Sequence, residues 1–194
     1  MPKIKKNKIR LDLASGNNKQ KGYIGVDIIG PPDTDADVVH DLMKFPWPFE
    51  DNSVDEVFAS HYLEHVPHST PEINRPGFDD PMFHFMDEIY RILKPGGLAR
   101  FVCPYYTSVR AVQDPTHLRF ISEPMFNYFN KKWREELNQL KHYPVKCDFE
   151  IVKLDHAISE EFTGKSQEAV AYSAMHFWNT VMDLQVTLRK PKKA

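Results

Sequence analysis

The sequence predicts an α/β domain built on a mostly parallel sheet, and three observations carry that expectation. Apolar runs of strand length alternate with polar, turn-rich segments. The runs are mostly hydrophobic on both faces, as strands of a covered parallel sheet are. One clear amphipathic helix ends at a Lys-Pro-Gly-Gly stop. Strands separated by crossovers then imply right-handed connections.

In chain order, "KIRLDLA", "GYIGVDI", "ADVVHDL", "VDEVFAS" and "GLARFVCP" read as the first five strands. Between the fourth and fifth lies the helix "PMFHFMDEIYRIL", with Phe85, Ile89, Ile92 and Leu93 on one face. Pro95 cannot continue it, and Gly96 and Gly97 supply the turn. "DFEIVKLDHAI" and "TVMDLQVTLRK" give two more strands, and the segment around "SQEAVAYSAMHFW" between them reads as a helix or a packed loop.

At 194 residues, with 41% hydrophobic and 12% aromatic residues, the chain suits one domain spanning 1–194. A net charge of -2 gives no general case for nucleic acid. Cys103 and Cys147 lack metal or disulfide spacing, which suggests a reducing, cytoplasmic setting. No apolar run approaches a membrane span. Lysines and arginines cluster at both ends (Lys3, Lys5, Lys6, Lys8 and Arg10, then Arg189, Lys190, Lys192 and Lys193) and read as solvated tails.

Two segments exceed plain connectors: residues 66–80, rich in proline, and residues 104–146, which run through "PYYTSVRAVQDPTHLRF" into the aromatic, helical-looking "EPMFNYFNKKWREELNQL". Both follow predicted strand ends, where open α/β sheets hold ligands, so they are expected to form a substrate lid. In the second, Phe126, Phe129, Trp133 and Leu137 fit one helix face, which favours core or lid packing over stacking on a substrate.

The stretch "LDLASGNNKQKGYIGVD" carries the chemistry. Gly16 allows a sharp turn after the first strand and lets a ligand lie on the backbone. No GxGxxG or GKS/T follows, so a pyrophosphate cradle is poorly supported. Acids flank the turn instead. Asp27, at the tip of the second strand, can accept from both ribose hydroxyls. Asp12, beside the turn, favours an ammonium or sulfonium group. Asp41 can accept from an adenine amino group, with Leu42 over the ring. A cationic, phosphate-free adenosine compound fits this set, namely S-adenosylmethionine, although an Asp at a strand end also reads as a turn cap.

With "DVVHDLMKFPWPFEDNSVDEVFASHYLEHV" and "FMDEIYRILKPGGLARFVCPYY", these residues resemble the class I S-adenosylmethionine-dependent methyltransferases, in particular the type 11 methyltransferase-domain proteins, over residues 8–106. The resemblance implies a Rossmann-like, seven-stranded, mostly parallel sheet with an antiparallel last strand. It implies S-adenosylmethionine as cofactor and S-adenosylhomocysteine as product. Carried over by position, Asp12, Ala14, Ser15 and Gly16 line the methionine end, Asp27 and Ile28 meet the ribose, Asp41 and Leu42 hold the adenine, and Ser60 and His61 lie beside the methyl donor. Two departures stand out: Ala14 replaces the usual first glycine, and "GNNKQKGY" is too short for a normal first helix. That reduced helix leaves one sheet face poorly covered, where a partner chain such as a second copy could pack.

Methyl transfer needs alignment more than proton chemistry. The rim candidates are His61, His65, Tyr105, Tyr106, and Asp114 with His117, in which Asp114 could orient one imidazole nitrogen. Asp114 also reads as a turn cap. Glu64, His65 and His68 have no evident fourth ligand, so no metal is expected. The acceptor is expected to be a small molecule or sugar. Nucleic acid or protein acceptors, and a non-catalytic cofactor-binding module, are the alternatives.

Overall fold

The computed structural model describes residues 8–70 and 79–192. Most of the 66–80 segment, and Lys3, Lys5, Lys6 and Lys193 of the basic ends, lie outside them.

All seven expected strands form: β1 (Arg10–Leu13), β2 (Ile24–Asp27), β3 (Val38–Val39), β4 (Val54–Ser60), β5 (Leu93–Pro104), β6 (Glu150–Ile158) and β7 (Val181–Arg189). They join one sheet in the order β3-β2-β1-β4-β5-β7-β6. The first five run parallel to their neighbours, and β7 lies antiparallel between β5 and β6. The order reverses direction between β1 and β4, so the carboxyl ends of β1, β2 and β4 open onto the crevice where such sheets take ligands.

The expectation of strands covered on both faces is corrected. Leu11, Leu13, Val57, Ala59, Ala99, Phe101, Leu184, Val186 and Leu188 are buried on one face. On the other, Glu56, Phe58, Arg100, Val102 and Thr187 are only half-buried and Gln185 is exposed. The cause is local. The connections 14–23, 28–37 and 40–53 fold as turns and irregular chain, so they bring no helix onto the second face. That face is lined by Arg100–Glu56 at 2.6 Å and Arg189–Glu150 at 2.6 Å, with Arg10 over the Tyr23 ring.

The helix α1 (Pro81–Ile92) covers the buried face. Asp80 caps it, its side chain accepting from Met82 N at 2.8 Å, with Pro81 at the first helical position. Phe85, Ile89, Ile92 and Leu93, the expected inner face, are fully buried. Arg91 replaces a crossover helix with a clamp. Its guanidinium donates to Trp47 O, Phe49 O, Asp51 and Glu88, while Glu88 accepts from Trp47 N at 2.6 Å. These bonds hold the 40–53 connection against α1.

The aromatic stretch after residue 122 is not one regular helix. It forms a 3-10 segment, Glu123–Phe129, and a π-turn, Lys132–Leu137. Phe126 and Phe129 enter the core, but Leu137 is 67% exposed. Asn130 breaks the run: its amide donates to Phe149 O and its carbonyl accepts from Trp133 N, both at 2.8 Å. The helix α2 (Gln167–His176) does form between β6 and β7, capped by Ser166. It buries no residue, and Tyr172, Met175, Phe177 and Trp178 near it stay exposed. Lys190 is not a solvated tail residue, because its ammonium donates to Asn52 Oδ1 at 2.8 Å and to Tyr90 O at 2.6 Å. Among the described residues, no helix is long and apolar enough to cross a membrane.

Candidate cofactor cleft and a histidine–carboxylate cluster

A cleft of about 320 Å³ opens at the carboxyl ends of β1 and β4. Asp12, Ala14, Ser15, Gly16, Ser60 and His61 line it, together with Asn17, Asn18, Gln20 and Phe58. Asp27, Ile28, Asp41 and Leu42 lie outside that lining.

The turn that forms its floor uses two left-handed residues, Ala14 at φ 53° and Gly16 at φ 50°. Among the described residues, a Cβ on Gly16 would meet nothing within 4 Å, so bare backbone faces open space there. Ala14 pays for its side chain with strain that glycine would not carry. Ala14→Gly is therefore expected to stabilise the fold by about 0.5–1 kcal/mol despite the added freedom of the unfolded chain. Urea unfolding would measure it, and a loss of stability would contradict the strain argument.

Each of the three expected aspartates caps the local backbone. Asp12 Oδ2 accepts from Gln20 N at 2.6 Å, and Asp41 Oδ1 accepts from Met43 N at 2.9 Å. Asp27 accepts twice, from Gly16 N at 3.0 Å and Ile29 N at 3.1 Å. Capping does not exhaust them, since a carboxylate has about four acceptor sites. Asp12 is 3% exposed, and burial pushes its carboxyl up against the opposing pull of the Gln20 amide and Lys19. A cation in the cleft would relieve that penalty. Ser15 Oγ is also buried there, without a partner among the described residues. Leu42 lies in the core at 4% exposure, whereas Ile28 and Val39 at the neighbouring strand tips are 62% and 61% exposed.

Several contributors were not singled out in the sequence. Asp37 accepts from Gly25 N at 2.7 Å and from Lys19 Nζ at 2.9 Å, pinning the far side of the turn. Tyr62 is a second. Its phenol is pushed upward by burial and by the charges of Asp41 and Asp27, so it sits near both acids.

The cleft's upper wall leads into a polar cluster. His61 takes a left-handed φ of 54°, an uncommon conformation for a non-glycine residue. Its Nδ1 lies 3.3 Å from Glu64 Oε1, and its Nε2 lies 4.0 Å from Asp183 Oδ1. The Glu64 carboxylate raises the His61 imidazole's pKa against the effect of burial. Asp183 is paired with Arg110 at 2.5 Å. An acid inside the apolar strand "VMDLQVTL" was the signal that could have found Asp183.

His117 meets Asp114 at ion-pair distance without a hydrogen bond between them. Its Nδ1 lies 3.3 Å from Ala111 O, and Asp114 Oδ2 is 4.0 Å from Nε2. Asp114 instead caps a turn, accepting from Thr116 N and Thr116 Oγ1. His117 packs edge-on against His65, ring centroids 4.6 Å apart, and both stand beside Glu64. His68 is elsewhere, its Nε2 3.0 Å from Leu118 O. Tyr105 donates to Glu123, and the exposed Tyr106 lines a separate cleft with Phe120.

Residues 11–101, the span of β1 through most of β5, match the family described as "Methyltransferase domain". Over that span the chain is similar to this family. Solved structures agree on the fold. A SAM-dependent methyltransferase from Archaeoglobus fulgidus is 18% identical with a TM-score of 0.63, over 94% of this chain and 86% of that one. A putative methyltransferase complexed with the Trm112 methyltransferase activator of Haloferax volcanii is 20% identical with a TM-score of 0.53, over 96% and 84%. The [4+2]-cyclase SpnF is 16% identical with a TM-score of 0.53, over 98% and 77%. At these identities the likeness is one of fold. No curated protein matches the sequence. The chain thus has the expected seven-stranded sheet, with turns over residues 14–23 in place of a first helix.

Proposed function

We propose that this chain is an S-adenosylmethionine-dependent methyltransferase that methylates a small molecule or sugar by in-line transfer. The observation that carries this reading is the cleft floor, where open backbone at Gly16, the buried acid Asp12 and the unpartnered Ser15 hydroxyl converge. This set fits a cation-bearing amino-acid end and suits a phosphate poorly. When bound, the cofactor would supply an activated methyl group on a sulfonium.

The chain's own residues would bind and orient. Asp12 and the backbone from Ser15 to Gly16 would hold the methionine end, and Asp27, with two acceptor sites left, the ribose. Asp41 would meet the adenine amino group, and the exposed Ile28 and Val39 would give the base an apolar seat, a role the buried Leu42 is not positioned to fill. Ser60 and His61 would face the reacting end. Of the three expected catalytic residues, His61 lines the cleft, while His117 and Asp114 do not. The first part of the long connection, residues 105–122, would close over the acceptor as a lid, tied to the 66–70 chain by Arg119, which donates to Val66 O at 2.6 Å.

A cytoplasmic setting is supported by two buried free thiols, Cys103 and Cys147. A second copy packing on the half-exposed sheet face would have to cover its ion pairs intact. The alternative of a non-transferase that uses the same fold is kept by one observation, the likeness to a cyclase. Incubation with methyl-labelled cofactor and a library of hydroxyl- and amine-bearing small molecules tests the proposal. Label transfer to one class is expected. Cofactor binding with no transfer to small molecules, nucleic acid or protein would favour a non-transferase, whether a cofactor-binding module or an enzyme of another class.

A further inference from the structure

We propose that Glu64, His65 and His117 form a binding site for one divalent transition-metal ion at the carboxyl end of β4. One donor atom from each lies within 4.8 Å of the others. Tetrahedral bonds of about 2.1 Å set donors roughly 3.4 Å apart, so closure needs side-chain shifts of about an ångström.

The case rests on carboxylate lone pairs that the neighbouring His61 ring meets only in part. Glu64 is 1% exposed, and among the described residues neither carboxylate oxygen has a hydrogen-bond partner. The His61 ring approaches Oε1 at 3.3 Å as an ion-pair contact rather than a hydrogen bond, and leaves Oε2 unaddressed. A buried carboxylate in this position needs a compensating cation or proton.

The hydrogen bonds of the two imidazoles fix their tautomers. The Thr116 hydroxyl donates its hydrogen to Asp114 Oδ1 at 2.6 Å, so towards His65 Nδ1, 3.1 Å away, it can only accept. Ala111 O, 3.3 Å from His117 Nδ1, is likewise an acceptor only. Both neutral rings therefore carry hydrogen on Nδ1 and a lone pair on Nε2. This is the arrangement in which metal-binding histidines are oriented, with the far nitrogen held by a carbonyl, hydroxyl or carboxylate. Two imidazoles and a carboxylate suit Zn²⁺, Co²⁺ or Fe²⁺ over Mg²⁺ or Ca²⁺. Three protein ligands leave a coordination position open, as in catalytic zinc sites.

Neither His65 nor His117 lines the cleft, and the site stands whether or not the chain transfers methyl groups. His68, the third residue the sequence offers for a metal, is replaced by a histidine 49 positions further along the chain.

The test uses the whole chain, stripped with chelator and titrated with Zn²⁺ by calorimetry and with Co²⁺ by visible absorption. One equivalent is expected, with d–d bands for Co²⁺ and X-ray absorption at the metal edge reporting two imidazoles. Glu64→Gln and His117→Ala are each expected to weaken Zn²⁺ binding by at least about tenfold, the lower end of what even supporting partners contribute. His176→Ala, in an exposed histidine on α2, is expected to leave it unchanged. No stoichiometric metal, or binding retained in full by folded Glu64→Gln and His117→Ala, would overturn the site. If either variant fails to fold, the absorption spectrum of the wild-type complex decides, and a first shell without imidazole nitrogen overturns it equally.

Discussion

Asp27→Ala is expected to weaken S-adenosylmethionine binding by about 1.5–3 kcal/mol, roughly 10- to 150-fold in Kd. Two losses combine. The carboxylate's free acceptor sites would no longer meet the ribose hydroxyls. Its bonds to Gly16 N and Ile29 N, at 3.0 and 3.1 Å, would also be gone, so the glycine turn loses its tether to β2. Asp27→Asn separates them, because its amide oxygen can keep one backbone bond while its NH2 offers a donor where the ribose needs an acceptor. Calorimetric titration of both variants, with circular dichroism as the check on folding, measures the effect. Wild-type affinity in folded Asp27→Ala would show that the ribose is held elsewhere.

Arg134→Ala is expected to cost about 3–5 kcal/mol of stability, the range for stripping one partner from a buried charged network and leaving its volume empty. Arg134 is 1% exposed. Its guanidinium donates to Tyr128 O at 2.7 Å and Val145 O at 3.0 Å, with Glu135 at 3.6 Å. These bonds join both ends of the 123–149 segment. With Phe126 stacked on Phe101, that segment serves as a core layer beside α1. The melting temperature should fall by roughly 10 °C in a chain of this size. Arg134→Met, which refills the space but not the bonds, should fall between. An unchanged melting temperature in Arg134→Ala would mean that the segment is held by its aromatics alone.

The sheet was legible in the sequence because each strand announces itself by local composition. Even β7, a late strand inserted between β5 and β6, follows from the family resemblance. The one-sided burial was harder to read. "VDEVFAS" looks continuous, yet its Glu56 and Phe58 share the half-exposed face while Val57 and Ala59 are buried. What decides coverage is the absence of crossover helices, and "GNNKQKGY" hinted at only one of three. At the site, the glycine turn and its acids were readable because turn chemistry is local. Arg134 was not, because charge balance with Glu135 and Glu136 hid a side chain whose partners are carbonyls. The Glu64–His117 meeting was equally hidden. It depends on Leu118 N and Arg119 N both donating to Glu64 O, at 2.8 and 3.1 Å, a long-range contact that no spacing rule encodes.

The most direct test is a crystal structure of the chain with S-adenosylhomocysteine. The ribose hydroxyls are predicted to meet the carboxylate of Asp27, with the amino-acid end on the Ser15–Gly16 backbone beside Asp12. A ligand found away from the ends of β1 and β2, or crystals grown at saturating ligand that hold none, would contradict the assignment.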